Sequence, residues 1–322
     1  MKKVQVLITC VTLLLIPYLL LKASGYIGNQ NEQNEIHNKL KDTVYYVLKE
    51  ESYGIRFVSM EEYLVGLTAA NAPISYADEM LKAQIVLMRS SIVRHADEVR
   101  REPYGNEKYV YAKEEELGLA YYDDKDMKRL WGDKYVENYN RIATLVSATK
   151  GIYVSYGNKA VEAAFFPLSG GKTRGDVEGC DYLCPVVCEN DIYADEFVHR
   201  ITYDSAEFAA IFRKILKIDI SDEQDISFED FEVVSRDEGG YVTKVRVGEF
   251  YIPGEDIRLA LLLPSANYEL EFTLTGVTFI VYGKGHGFGM SQYEANVMAM
   301  NGSDYQDIIN YFFYNTVIKK IE

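Results

Sequence analysis

The residues most able to take part in chemistry stand in the segment Gly283–Tyr293, which reads GKGHGFGMSQY. Its four glycines stand at alternate positions and carry no side chains, so that a ligand or another backbone can approach closely. They surround His286, and a helix beginning directly after them would point its first N–H groups at the same place. The fourth glycine comes one residue late for a dinucleotide-binding loop. A glycine-framed histidine on a loop predicts a functional site, with a tight structural bulge as the alternative.

Two further polar segments could contribute to such a site. The turn Ser169-Gly170-Gly171 follows an apolar strand and lacks the spacing of a phosphate-binding loop, so by itself it predicts a hairpin turn. Gln84 and Arg89 lie five residues apart on a largely apolar helix. A buried amide or guanidinium needs hydrogen-bond partners. This pair therefore predicts either structural hydrogen bonds within the core or polar groups at the bottom of a binding cleft.

Three clustered cysteines are the candidate metal ligands. Cys180, Cys184 and Cys188 follow a C-x3-C-x3-C spacing, and His199 follows eleven residues after the last of them. In an oxidising compartment such an odd set predicts either a disulfide with a free thiol or a zinc site with His199 as the fourth ligand. The spacing is not that of a zinc knuckle, and acidic residues lie among the sulfurs. Structural or redox thiols, a zinc site and unrelated thiols all stay open.

Composition limits the classes of partner. The chain has 48% hydrophobic residues and 7 prolines, which excludes a mainly disordered protein. Without Lys2, Lys3 and Lys22 of the N-terminal segment, 31 basic residues stand against 49 acidic ones, a balance of −18. Such a body repels phosphate backbones and anionic lipid, so nucleic acid is excluded as a partner. The 27 tyrosines suit flat polar ligands such as sugars, and they suit an ordinary core equally well.

The N-terminal segment predicts the compartment. Val4–Leu21 is an apolar stretch of 18 residues behind two lysines, and as a helix it would rise about 27 Å, close to the hydrocarbon thickness of a bilayer. Residues 1–25 are therefore expected to form an uncleaved single-pass membrane anchor, with a cleaved signal peptide as the alternative. The lysines keep the N-terminus inside, so residues 26–42, a polar tether, and the domain 43–322 are extracytoplasmic.

Periodicity predicts the elements that position the candidate residues. Helices are predicted over Met60–Ala72, Tyr76–Arg101, Asp124–Thr149, Ser205–Lys217, Gln292–Met300 and Tyr305–Tyr314. Strands are predicted over Thr43–Leu48, Ile55–Ser59, Ile152–Tyr156, Ala160–Phe166, Val242–Val247, Phe250–Ile252, Tyr268–Leu274 and Val277–Val281, with a hairpin turn at Gly239-Gly240. Because helices and strands alternate without a regular βαβ period, the predicted fold class is α+β, with antiparallel sheets.

Together these segments resemble the stage II sporulation protein D family, which includes the LytB amidase enhancers. The resemblance covers about residues 57–318 and is carried by four strings. EEYLVGLTAANAP is similar to the family's opening helix, and LKAQIVLMRS to its L-K-A-Q-A-x-x-x-R-[ST] helix. PLSGGKT is similar to its S-G-G-x-T turn, and GKGHGFGMSQYEA to its G-x-G-H-G-x-G-M-S-Q-Y-G-A signature. The last string is very specific, and the family's sporulation members also carry a membrane anchor.

The resemblance implies a reaction and also a departure from it. The family cleaves peptidoglycan glycan strands as lytic transglycosylases: a glutamate protonates the glycosidic oxygen, and its carboxylate then takes the proton of the muramyl 6-hydroxyl. That glutamate stands two residues before the proline, where this chain has Asn71 before Pro73. A carboxamide has no proton to lend near neutral pH, so the acid step is expected to be impaired or lost. Asp78 and Glu79 are the carboxylates that could replace it.

Three more positions depart from the family pattern. Phe166 stands where the family commonly has histidine, Lys284 where it has tryptophan, and Glu294 where it has glycine. The glycines and the residues that end the signature are kept. The resemblance thus predicts a retained cleft that has lost its acid.

The predicted glycan-binding cleft comprises Gln84, Arg89, Ser169, Gly170, Gly171, Gly285, His286, Gly287, Ser291, Gln292 and Tyr293. The expected function is to bind peptidoglycan glycan strands and enhance a partner wall amidase, without cleaving the strands. An active transglycosylase that uses Asp78 or Glu79 is the first alternative, and a non-enzymatic assembly factor at the sporulation septum is the second. The resemblance implies work during engulfment, with a sporulation amidase and a polytopic membrane protein as partners.

Overall fold

The computed structural model describes residues 40–41, 43–51, 54–98, 110–216 and 228–321, which form a mixed α+β protein. The predicted anchor 1–25 and nearly all of the predicted tether 26–42 lie outside the described residues. Within the described ranges, no helix is long and apolar enough to span a bilayer. Contacts divide the chain into two compact units, Met1–Asn71 with His95–Lys150, and Ala72–Arg94 with Gly151–Glu322.

The first unit joins a small sheet to three helices. Its strands are β1 (Tyr45–Glu51), β2 (Gly54–Ser59) and β3 (Val110–Lys113), and its helices are α1 (Met60–Asn71), α3 (Asp124–Trp131) and α4 (Tyr135–Ala148). Strand β1 is central, antiparallel to β2 and parallel to β3. Helix α1 begins where the Ser59 hydroxyl accepts the N–H of Glu62. Its Tyr63, Leu64 and Leu67 are fully buried, so α1 is the core helix of this unit.

The predicted helix over 124–149 is two helices in the structure. Helix α3 ends at Gly132, whose φ of +51° is a conformation that most residues avoid, and a 3-10 turn leads from there into α4. The amphipathic period continues across this break, which is why periodicity alone did not reveal it. The predicted strand over 160–166 is likewise two short strands, β5 (Lys159–Ala160) and β6 (Phe165–Phe166).

The second unit is built from α2, several small sheets and four further helices. Helix α2 runs over Asp78–Glu98, with residues to Arg94 in this unit. Besides β5 and β6, its strands are β4 (Ile152–Tyr156), β7 (Val198–Asp204), β8 (Phe231–Arg236), β9 (Val242–Val247), β10 (Phe250–Pro253), β11 (Tyr268–Phe272), β12 (Gly276–Tyr282), β13 (Met290–Ser291) and β14 (Val317–Lys320). These strands form the sheets β14–β4–β5, β11–β12–β7 and β10–β9–β8 and the parallel pair β13–β6. The helices are α5 (Ser205–Leu216), α6 (Gly254–Ala260), α7 (Gln292–Met300) and α8 (Tyr305–Phe312).

A phenylalanine-rich core holds the larger sheets of the second unit. Phe208 and Phe212 of α5 stack at 4.3 Å between ring centroids, and both meet Phe231 edge-on. The hairpin β8–β9 turns at Gly239-Gly240 as predicted, with Gly240 at a φ of +86°. Tyr241 precedes Val242 of this core, and its hydroxyl accepts the N–H of Gly170, so the core supports the Ser-Gly-Gly turn.

Candidate functional site

Asn71, the residue predicted to replace a catalytic glutamate, ends α1 in the first unit and holds a loop in place. Its side-chain Nδ2 donates to the carbonyl of Leu67, at 2.8 Å, and to the carbonyl of Ala120, at 2.7 Å. The same loop is fixed a turn earlier, because Tyr122 donates its N–H to the carbonyl of Gly66 at 3.3 Å. Both amide hydrogens of Asn71 are therefore used within the protein. An ionised carboxylate could make neither donation.

The alternative acids Asp78 and Glu79 begin α2 in the second unit. Glu79 is committed to packing: one oxygen accepts from Lys82 Nζ at 2.6 Å and the other from the N–H of Tyr305 at 3.0 Å. Both carboxylate oxygens of Glu79 are therefore occupied by contacts within the protein. Asp78 is exposed in the first turn of α2. The geometry therefore gives Glu79 a structural role and leaves Asp78 as the accessible carboxylate of the pair.

The glycine signature of the second unit is approached by another backbone. Leu168 and Lys284 exchange hydrogen bonds at 3.1 and 2.7 Å, and Arg174 donates its N–H to Gly287 at 2.8 Å. Gly283, Gly285, Gly287 and Gly289 all have φ between +72° and +110°. A Cβ on any of them would overlap the packed segment 164–174 or Tyr241. The close approach predicted from these glycines is thus made by the chain segment that contains the Ser-Gly-Gly turn.

His286 is a neutral imidazole whose nitrogens are both used inside the protein. Its Nδ1 accepts from the N–H of Phe288 at 3.1 Å, and the ring donates to the carbonyl of Phe165. Burial lowers the pKa of His286 below its ordinary value, and the hydrogen bond to Phe165 opposes that shift only in part. The ring packs beside Phe166, the position at which the family commonly has histidine. Of the two alternatives the sequence left open, this geometry favours a histidine that positions the loop.

Asp191 is the buried acid that sequence reasoning missed. It is fully buried, and one oxygen accepts from the N–H of Ser169 at 2.8 Å and from the hydroxyl of Ser291 at 2.7 Å. Among the described residues its Oδ1 has no hydrogen-bond partner. Burial raises the pKa of Asp191 to about 6, hydrogen bonds from Ser169 and Ser291 oppose the rise, and the charge of Glu294 adds to it. Asp191 therefore joins the Ser-Gly-Gly turn to the end of the glycine signature.

The predicted residues of α2 and α7 meet in the second unit. Gln292 donates through Nε2 to Oε1 of Gln84 at 2.8 Å, and both side chains are buried. Arg89 is fully buried and donates to the carbonyl of Ile152 at 3.0 Å, so it fixes α2 to β4. Glu294 accepts from both the backbone and the side chain of Asn190, each at 2.8 Å. These groups support the site from inside the core.

The accessible part of this cluster is tyrosine-rich. Tyr293 is half-buried, and its N–H is held by the carbonyl of Pro167 at 3.2 Å. Tyr76 is half-buried as well, and its pKa is raised first by burial and then by the nearby Tyr293 and Asp191. Beside them the N–H of Gly170 is held by the Tyr241 hydroxyl at 3.2 Å. The half-buried rings of Tyr76 and Tyr293 can contact a flat polar ligand, whereas buried Tyr241 and the other predicted residues hold the turns in place.

The three clustered cysteines are free thiols. Cys184 points to the carbonyl of Asp181 and Cys188 to that of Val186, and Cys180 accepts from the Tyr182 hydroxyl at 3.3 Å. Burial raises the pKa of the Cys188 thiol, which disfavours the thiolate that zinc needs. Across the described ranges, no group of three or more His, Cys, Asp or Glu side chains is placed to hold a metal ion. The thiols therefore do not fit the predicted zinc site, and no step is assigned to zinc.

Comparison with known proteins finds similar sequences. A family model described as stage II sporulation protein matches residues 48–156. Stage II sporulation protein D of Bacillus amyloliquefaciens and that of Bacillus subtilis (strain 168) are each 27% identical over 282 residues, which is 86% of this chain and 78% or 79% of theirs. An uncharacterised protein of Brachyspira hyodysenteriae is 31% identical over 93 residues, 26% of this chain and 25% of its own. The predicted resemblance is confirmed: the stage II sporulation protein model matches part of the chain, and the chain is similar to stage II sporulation protein D over most of its length.

Proposed function

We propose that this protein binds peptidoglycan glycan strands through the tyrosine-lined site of its second unit and enhances a partner wall amidase, without cleaving the strands. One observation carries the proposal: the position of the family glutamate holds Asn71, whose amide hydrogens are spent on the carbonyls of Leu67 and Ala120. Without a proton donor, glycosidic cleavage is far too slow to serve a cell. The hydrogen bonds around Asp191 and Gln84 hold the turns of the site in place, which suits a protein that binds a ligand there.

The proposal extends to place and partners. A single-pass anchor over residues 1–25 would hold the body outside the membrane, at the sporulation septum during engulfment. A sporulation amidase and a polytopic membrane protein would be its partners, as the resemblance implies. Because the anchor tethers the body beside the wall, glycan binding there would raise the local concentration of an associated amidase at its substrate.

The test compares full-length wild type, Asn71→Glu and the matched control Asn140→Glu in detergent, incubated with amidase-stripped glycan strands. Asn140 is a half-buried asparagine of α4 in the same unit. Mass spectrometry counts anhydromuramyl ends. We expect ends from Asn71→Glu alone, because a carboxyl group facing two carbonyls is held protonated, the form a general acid needs.

Each other outcome identifies a different function. Anhydro ends from wild type would overturn the proposal and favour a transglycosylase that uses the exposed Asp78, which Asp78→Asn would then abolish. Binding of glycan is measured separately by co-sedimentation. If wild type sediments with no glycan and Tyr293→Ala keeps its role in sporulation, the protein is a non-enzymatic assembly factor instead.

A further inference from the structure

A row of aromatic rings lies on the first unit, apart from every residue assigned so far. Trp131 ends α3, and Tyr135 and Tyr139 follow on α4 at the spacing of one helical turn. Their ring centroids are 6.5 and 5.8 Å apart, with interplanar angles of 33° and 42°. All three rings are half-buried. Trp131 is the single tryptophan of the chain, and it lies at one end of this row.

The row is held rigid by its neighbours. Tyr135 donates its hydroxyl to Asp124, and Lys128 both pairs with Asp124 at 2.6 Å and lies 5.2 Å above the Tyr135 ring. A capping box at Asp123 fixes the start of α3. A ring that is already fixed loses little conformational entropy when a ligand packs on it. This is the property that makes tyrosine and tryptophan effective in binding sites.

Two polar groups beside the row have hydrogen-bonding capacity to spare. Among the described residues, the half-buried carboxylate of Glu62 and the half-buried amide of Asn138 have no hydrogen-bond or ion-pair partner. Burial raises the pKa of Tyr139 first, and the charges of Glu62 and Asp124 add to the rise, so these acids lie near its hydroxyl. Aromatic faces flanked by a free carboxylate and a free amide are the chemistry that recognises a sugar: C–H faces pack on rings, and hydroxyls bond to the polar groups.

The charges around the row favour an uncharged ligand. Asp124 is paired with Lys128, and Asp126 is paired with Arg129 at 2.7 Å. Since both of these carboxylates are already paired, they add little attraction for a cationic peptide beyond that of Glu62. The unpaired Glu62 repels an anionic polymer. An uncharged pyranose chain meets neither penalty.

We propose that Trp131, Tyr135 and Tyr139 form a second carbohydrate-binding site, which packs against the uncharged sugar faces of a glycan strand. The site rests on the proposed function, because it binds the same strand. It adds contacts on the first unit, where the lost acid would have acted. A protein that holds glycan without cutting it gains affinity and residence time from a second contact on the same polymer.

The test uses the tryptophan itself. Full-length protein in detergent is titrated with tetra-N-acetylchitotetraose, and the emission of Trp131 is followed, since no other tryptophan contributes. We expect a saturable change in emission. The double variant Tyr135→Ala/Tyr139→Ala should bind the tetrasaccharide about tenfold more weakly by calorimetry. Tyr135→Phe/Tyr139→Phe keeps the rings and should stay within about threefold of wild type, which separates stacking from a folding defect.

The matched control is Tyr251→Ala, an exposed tyrosine of β10 that also lies beneath a lysine, with Lys244 Nζ 5.9 Å from its ring. It should bind like wild type. Glycan binding that leaves Trp131 emission and the double variant unchanged would overturn the second site and leave the proposed function intact. No binding of glycan strands or tetrasaccharide by wild type would overturn both. An emission change produced only by a partner protein would make the row a protein-binding surface and overturn the carbohydrate assignment.

Discussion

Asn71 makes structural contacts that its residue type alone does not reveal, and under the proposed function it also lacks the acid that cleavage needs. A glutamate there would carry an acidic proton, whereas the amide carries two hydrogens that bind Leu67 and Ala120. The prediction that the acid is missing rests on the sequence alone, through the residue type and its distance from Pro73. The sequence does not predict the loop contact, because Ala120 is 49 residues away and its carbonyl is a backbone group that carries no sequence signal.

Asp191 makes the free energy of unfolding depend on pH, and the direction of this dependence follows from its raised pKa. Its folded pKa of about 6 lies above the ordinary aspartate value, so the native state holds this proton more tightly than the unfolded chain does. Its contribution to stability is therefore full at pH values below about 4, falls as pH rises to about 6, and stays low above that. A difference of about two pKa units corresponds to about 3 kcal/mol at most.

We expect Asp191→Asn to lose this pH dependence. The variant keeps an oxygen for Ser169 and Ser291 and cannot ionise. Urea unfolding at pH 4.5 and pH 7.5 measures the free energy of unfolding of wild type, Asp191→Asn and the control Asp195→Asn, whose side chain is exposed. A difference between the two pH values that persists unchanged in Asp191→Asn would show that another group causes it.

At the scale of elements, the glycine signature is a packing device for two chain segments. Gly287 has a φ of +87°, and an added Cβ would lie 2.6 Å from the buried ring of Tyr241 and 2.8 Å from Cδ of Arg174. Gly302 has a φ of +100° with nothing within 4 Å of such a Cβ. The two glycines thus share the backbone conformation and differ in the space around it.

This pair separates backbone strain from steric overlap. Gly302→Ala should lower the free energy of unfolding by about 1 kcal/mol, the cost of placing a side chain at positive φ. Gly287→Ala should lower it by a further 1 to 3 kcal/mol or so, since Tyr241 or Arg174 must move. Chemical denaturation of both variants measures the difference. Equal losses would mean that the contact at Gly287 relaxes freely and that close packing is not what this glycine provides.

The elements were predictable to different degrees for physical reasons. Five helices have apolar residues at helical spacing and clear sequence signals at their ends, and the sequence predicts each of them within a few residues at each end. They are α1, α2, α5, α7 and α8. The break at Gly132 was missed because one glycine between two amphipathic segments leaves their common period intact. Strands β5 and β6 have two residues each, too few for alternation to define them.

At the scale of the whole molecule, the order of elements predicted the fold class, and the motifs predicted the resemblance to a known family. The fold class followed from the order of helices and strands, and the resemblance to a known family followed in large part from the glycine signature, whose glycines all have positive φ. The network around Asp191 and the aromatic row did not follow. Both depend on which segments meet: Asp191 contacts Ser291, 100 residues away, and Glu62 lies near Tyr139 of another helix. Single-sequence patterns report local period and do not report such pairings.

The charge of the whole body makes a last prediction, which concerns salt. Outside the N-terminal segment, 31 basic residues stand against 49 acidic ones, a balance of −18, so the body repels polyanions over about a Debye length. Binding of uncharged tetra-N-acetylchitotetraose should change less than about twofold between 50 and 500 mM NaCl, since no ion pairs form with it. A polyglycerol phosphate of the wall-polymer type should not bind at 50 mM. Tight binding of that polyanion, weakening steeply with salt, would require a basic surface on this acidic protein and would contradict selection for uncharged sugars.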